Sequence, residues 1–118
     1  MKTILSTADA PAAIGPYSQA VRSGETLYCS GQLGIDPATG KLPEGVAAQT
    51  EQSLKNIRAL LTAAGAGVEN VVKTTVFIKN MDDFSKINAV YGQYMTQEAP
   101  ARGCVEVARL PKDVLVEV

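Results

Sequence analysis

Two stretches of helical periodicity with one strand-like alternation between them confine this chain to a narrow set of folds. From Val46 to Ala64, the residues Thr50, Leu54, Ile57, Leu61 and Ala64 recur at spacings of four and three, the rows that share one helix face, while Glu51, Lys55 and Arg58 fall off it. Gly65 and Gly67 supply the stop. The period then changes. Val72, Thr74, Val76 and Ile78 alternate with Lys73, Thr75, Phe77 and Lys79, which predicts a strand with one strongly apolar face and one mixed face. After Asp82 and Asp83, whose charge suits a helix start, Phe84, Ile87, Tyr91 and Tyr94 or Met95 form a second amphipathic stripe.

The flanks read as strands. Gln19–Arg22 and Thr26–Ser30 around Ser23-Gly24-Glu25 predict a hairpin that leaves Ser30 and Gly31 at a strand end. Asp36-Pro37-Ala38-Thr39-Gly40 is a turn by composition, and Pro43-Glu44-Gly45 breaks the chain before the first helix. Cys104–Leu110, a Pro111-Lys112-Asp113 turn and a terminal strand Val114–Val118 complete the order. With 118 residues, 46% of them hydrophobic, residues 1–118 form one domain able to bury a core. Strands, helix, strand, helix, strands predict an α+β fold with two helices on one face of a mixed sheet. Phe77 and Leu115 face opposite to Val76 and Val116, so the uncovered face is apolar too, and a homo-oligomer is expected to bury it.

Composition removes several chemistries. Eleven basic against twelve acidic residues give a net charge of −1 with no basic run, which argues against stable nucleic-acid binding. There is no histidine, so neither a Ser-His-Asp nor a Cys-His arrangement can be built. Cys29 and Cys104 lie far apart without metal or redox spacing, and Cys29 is expected to be a buried apolar residue. No phosphate-binding glycine loop appears, so no nucleotide cofactor is expected, and without histidine or clustered cysteines no metal is expected. No segment approaches a membrane span, and the amino terminus has no long apolar stretch, so a soluble cytoplasmic protein is expected.

Chemistry must then come from Arg, Glu, Asp, Tyr, Asn, Ser, backbone groups and water. Pro100-Ala101-Arg102-Gly103-Cys104 sets an arginine between a turn signal and an alternating run, where its planar fork of donors could clamp a carboxylate at a bent strand entrance. Asn88 falls beside Ile87 and Tyr91 on the apolar side of the second helix, where an unpaired amide is costly. A bond to nearby backbone would satisfy it equally well. Tyr17 could line a pocket or pack at the core edge. Cys104 has only Arg102 as a neighbouring cation, which favours a backbone contribution over a thiolate.

Pro11-Ala12-Ala13-Ile14-Gly15-Pro16-Tyr17-Ser18-Gln19-Ala20, Ser30-Gly31-Gln32, Val72–Lys79, Pro100-Ala101-Arg102 and Cys104–Asp113 closely resemble the RidA/YjgF family of reactive imine and enamine deaminases. The resemblance covers essentially the whole chain. It implies a chorismate-mutase-like subunit of the ferredoxin-like β-α-β-β type, a homotrimer, and clefts between subunits. It implies hydrolysis of 2-iminobutanoate and 2-iminopropanoate, formed from enamines such as 2-aminoacrylate, to 2-oxo acids and ammonia without a cofactor. By the same resemblance Arg102 clamps the substrate carboxylate, Cys104 lies at the imine, and Glu117 orients and helps deprotonate water. Tyr17, Ser30, Gly31 and Asn88 line the pocket.

Two departures bear on that site. Ala99 stands where the family usually has phenylalanine before Pro-Ala-Arg, which predicts a more open wall. Glu117 lies one residue from Val118, so a frayed strand end and a carboxyl pKa raised by the terminal carboxylate are expected. Two other functions fit the same clefts: a module that holds small carboxylates without turning them over, and a translation-inhibiting endoribonuclease, which the charge balance disfavours.

Overall fold

The computed structural model describes all residues, 1–118. Its strands are β1 (Lys2–Leu5), β2 (Ala20–Ser23), β3 (Thr26–Cys29), β4 (Lys73–Ile78), β5 (Ala101–Glu106) and β6 (Val116–Glu117), and its helices are α1 (Val46–Ala63) and α2 (Phe84–Tyr94). The β2–β3 hairpin turns where expected, with Gly24 at a φ of 59° that favours glycine. β1, not anticipated from the sequence, pairs antiparallel with β2, Ile4 opposite Val21.

β4 is the centre of a second sheet, parallel to β5 and antiparallel to β6. The two sheets are stitched together past the end of β3. Leu33 bridges Glu117, and Gln32 and Val118 exchange backbone bonds of 2.8 and 3.2 Å. These bonds overturn the expectation of a frayed terminus: Val118 is buried and its backbone is paired.

The helices pack on one face. Val76 and Ile78 of β4, Val116 of β6, Leu54 of α1 and Ile87, Tyr91 and Met95 around α2 form one buried cluster. α1 buries polar residues as well. Ser53 donates to the Gln32 carbonyl at 2.6 Å, and Asn56 donates to those of Leu33 and Ile35 at 3.0 and 2.9 Å. These bonds fasten the helix to the crossover segment that carries Gly31 into the sheet.

The opposite face has no cover. In β1, β2 and β3, Ala20 is buried and Arg22 reaches the Ala64 carbonyl at the end of α1, so the alternate row Ile4, Val21, Tyr28 points away from the helices. Ile4 is 52% exposed and Tyr28 63%, and Val105, paired with Phe77, is 46% exposed on the same side. Three sequence expectations shift. β5 starts at Ala101 and ends at Glu106, so Arg102 lies within a paired strand and not at a bent entrance. The last strand is confined to Val116–Glu117. Cys29 is exposed, at the end of β3, an outer strand of its sheet.

Candidate active site

β4 and β5 run in register with Thr74 beside Arg102 and Val76 beside Cys104, so all four side chains point to the helix layer. There α2 receives the arginine. Arg102 Nη1 donates to Asn88 Oδ1 at 2.7 Å, and the guanidinium carbon lies 4.8 Å from the Tyr91 ring centre and 5.3 Å from that of Phe84. Asn88 is therefore bonded to a side chain and not to nearby backbone. No acid pairs with Arg102; the ion pairs of the chain are Lys86–Asp83 and Arg109–Asp113. Cys104 packs against the edge of the core, where burial raises its thiol pKa more than the charge of Arg102 lowers it. A neutral thiol next to the arginine follows, in keeping with a backbone contribution.

Glu117 belongs to a different group. Its neighbours Val116 and Val118 face the core, and its own partner across the ladder is Phe77, so its carboxyl lies on the uncovered face. It rests on Gly31: a Cβ there would collide with Glu117 Oε1 and come within 2.9 Å of Cδ. Glycine is what lets the strand crossover and the carboxylate share that space. Burial raises the Glu117 pKa above its ordinary value, the direction expected from the sequence.

Gly31 also borders a cavity of about 230 Å³ with Tyr17, Ile14, Leu33, Ile35 and Lys112 among its walls. Gln19, fully engaged, holds the loop that brings Tyr17 there: its amide donates to the carbonyls of Thr7, Ala10 and Pro11 and accepts from Thr7 N at 2.7 Å. Tyr17 is exposed, its ring against Gly15, and so does not pack at the core edge. Ser30 Oγ donates to the Ser18 carbonyl at 2.6 Å, fixing strand end and loop to each other. Lys112 reaches the rim from a turn in which it and Asp113 both take left-handed φ, 57° and 54°.

The residues singled out from the sequence thus fall into two clusters. Arg102, Asn88 and Cys104 meet under α2; Tyr17, Ser30, Gly31 and Glu117 meet around the crossover after β3. Within one chain Arg102 and Glu117 lie on opposite faces of the sheet, with β4 between β5 and β6. Thr74, Phe84 and Tyr91, all in contact with the arginine or its ring neighbour, were read from sequence only as strand or helix packing. The spacing around Asn88 holds the signal, since Phe84 and Tyr91 stand four before and three after it on the same helix row.

Residues 7–118 match the family described as Endoribonuclease L-PSP. A 2-iminobutanoate/2-iminopropanoate deaminase of Escherichia coli K12 is 50% identical over 121 aligned positions, covering 100% of this chain and 94% of the relative. Among solved structures, RidA from the Antarctic bacterium Psychrobacter sp. PAMC 21119 superposes with a TM-score of 0.95 at 47% identity over 98% of this chain and 94% of that one. E. coli TdcF with bound serine does so with a TM-score of 0.95 at 46% identity, over 98% and 93%. The α+β, chorismate-mutase-like fold expected from the motifs is the fold these proteins share, and the chain belongs to the RidA/YjgF family.

Proposed function

We propose that this protein is a deaminase that hydrolyses small 2-imino acids, such as 2-iminopropanoate and 2-iminobutanoate, to 2-oxo acids and ammonia. The observation that carries the reading is Arg102, a guanidinium held by Asn88 and two aromatic rings with no acid partner. A half-buried cation left without a counter-charge suits an anionic ligand, and its free edge matches a carboxylate. The named activity of the E. coli deaminase supports the same substrate class.

The reaction needs water, a protonated imine and one proton acceptor. Arg102 binds the carboxylate and fixes C2; water adds to C2 while Glu117 accepts its proton. Glu117 returns that proton to the nitrogen of the resulting carbinolamine and takes up the hydroxyl proton as the C–N bond breaks. Ammonia leaves, the C=O of the 2-oxo acid forms, and the carboxylate is restored when its proton passes to ammonia. A carboxyl whose pKa is raised by burial is a better proton acceptor near neutral pH than an ordinary glutamate. Cys104 sits one strand position-pair from the arginine and offers backbone groups to the imine. Tyr17, Ser30 and Gly31 wall the other side.

Opposite faces of one sheet cannot hold the two ends of a three- or four-carbon acid, since β5 and β6 stand about 10 Å apart across β4. A second copy supplies the missing half, and the uncovered apolar face carrying Ile4, Tyr28 and Val105 is the surface on which copies meet, as a homotrimer. Excess pyruvate formation from 2-iminopropanoate over the spontaneous rate tests the activity. Acceleration by the wild type, lost at least about a hundredfold in Arg102→Ala as expected for a charged clamp, supports it. A folded oligomer without acceleration leaves the carboxylate-binding module, which serine bound to TdcF favours as a second reading.

A further inference from the structure

Arg102 is enclosed by one row of α2. Phe84, Asn88 and Tyr91 occupy positions i, i+4 and i+7, and each touches the guanidinium: two through ring faces, one through a hydrogen bond. An arginine side chain has many rotamers, and a single bond to Asn88 leaves the plane of its fork free to turn. Rings against that plane restrict it. Tyr91 is itself fixed from the sheet side, where its hydroxyl and Thr74 Oγ1 lie 2.7 Å apart across the gap between α2 and β4. Thr74 is the ladder partner of Arg102, so the strand that carries the arginine and the helix that steadies it are tied at the same level.

We propose that Tyr91 is a positioning residue for Arg102, its ring setting the guanidinium plane and its hydroxyl bond to Thr74 setting the ring, so that one edge of the fork stays free for a carboxylate. The neutrality of the enclosure matters. Phe84, Asn88, Tyr91 and Thr74 carry no charge, so they hold the cation without cancelling it; a glutamate at position 88 would position equally well and would compete with the ligand. The inference rests on the carboxylate-clamp reading of Arg102.

Calorimetric binding of pyruvate to the intact oligomer tests it, beside kcat and KM for 2-iminopropanoate. Tyr91→Leu, which removes ring and hydroxyl, is expected to weaken pyruvate binding about tenfold, and Tyr91→Phe or Thr74→Val about threefold each. Because Tyr91→Phe and Thr74→Val break the same bond, their combination is expected to be no worse than either alone. KM should rise with kcat within about twofold of wild type, the pattern of lost ground-state binding. Folded Tyr91→Phe and Thr74→Val proteins that bind pyruvate like wild type, or that lose kcat at constant KM, overturn the inference alone. A wild-type oligomer that binds no pyruvate overturns it together with the clamp, and one that binds without turnover leaves the binding series to decide.

Discussion

At the scale of single residues, Glu117 shows how position sets chemistry. The same carboxyl on an exposed loop would titrate normally, whereas on β6 it is packed against Gly31 and its pKa is raised by burial. A carboxyl whose folded pKa lies above its unfolded value binds more protons in the native state, so stability falls as pH rises from the unfolded to the folded pKa. Glu117→Gln, which carries no charge, is therefore expected to be more stable than wild type at pH 7, with the difference shrinking as pH drops through the carboxylate range. Thermal unfolding of both proteins from pH 4 to 8 checks this; parallel curves would mean that the carboxyl is solvated in both states. The same variant should lose turnover while retaining pyruvate binding, because the clamp lies elsewhere.

At the scale of elements, α1 is amphipathic in an unusual way. Its buried side is partly a row of amides and hydroxyls, Gln49, Thr50, Ser53 and Asn56; Ser53 and Asn56 satisfy carbonyls of the segment 32–35, Gln49 accepts from the N–H of Leu115, and Thr50 donates to the Val46 carbonyl of its own helix. The helix thereby does for the crossover what a neighbouring strand would have done. Asn56→Ala removes two donors from carbonyls at a site with no solvent access and is expected to lower stability by about 3 kcal/mol, read from the denaturant midpoint. The loss should exceed that of Ala59→Gly at the helix's half-buried edge, which costs about 1 kcal/mol through propensity alone. Equal losses would show that the amide bonds contribute nothing net.

At the scale of the whole molecule, the division of the candidate site between two faces sets the terms of function. If each cleft takes Arg102 from one copy and Glu117 from the next, two inactive variants can complement each other. Arg102→Ala and Glu117→Ala, unfolded, mixed in equal amounts and refolded together, are expected to recover about one quarter of wild-type turnover, the chance that both neighbours of a cleft contribute an intact residue. Recovery of nothing, with mixed oligomers present by mass measurement, would place both residues in the same copy. Light scattering of the wild type checks the assembly itself. No helix is long and apolar enough to cross a membrane.

Periodicity alone located α1, β4 and α2, because each buries one face against the same core and the burial is written into residue spacing; the hairpin was legible from its β-prone run and its Ser-Gly-Glu turn. It also marked Asn88 as a polar residue in an apolar row, and the Pro-Ala-Arg and Ser-Gly-Gln motifs carried the family. β1 escaped, since four residues with two adjacent apolar side chains, Ile4 and Leu5, show no alternation. The polar face of α1 escaped as well, because a glutamine or asparagine reads as exposed until the carbonyls it serves are in view. Which face of the sheet receives each site residue is a matter of ladder register: a shift of one residue would put Glu117 beside the core and Val116 in the open. Residue spacing and motifs thus carried most of the elements and the available chemistry. Contacts between segments far apart in the chain set register and helix packing, and these alone put Arg102 against α2 and Glu117 across the sheet from it.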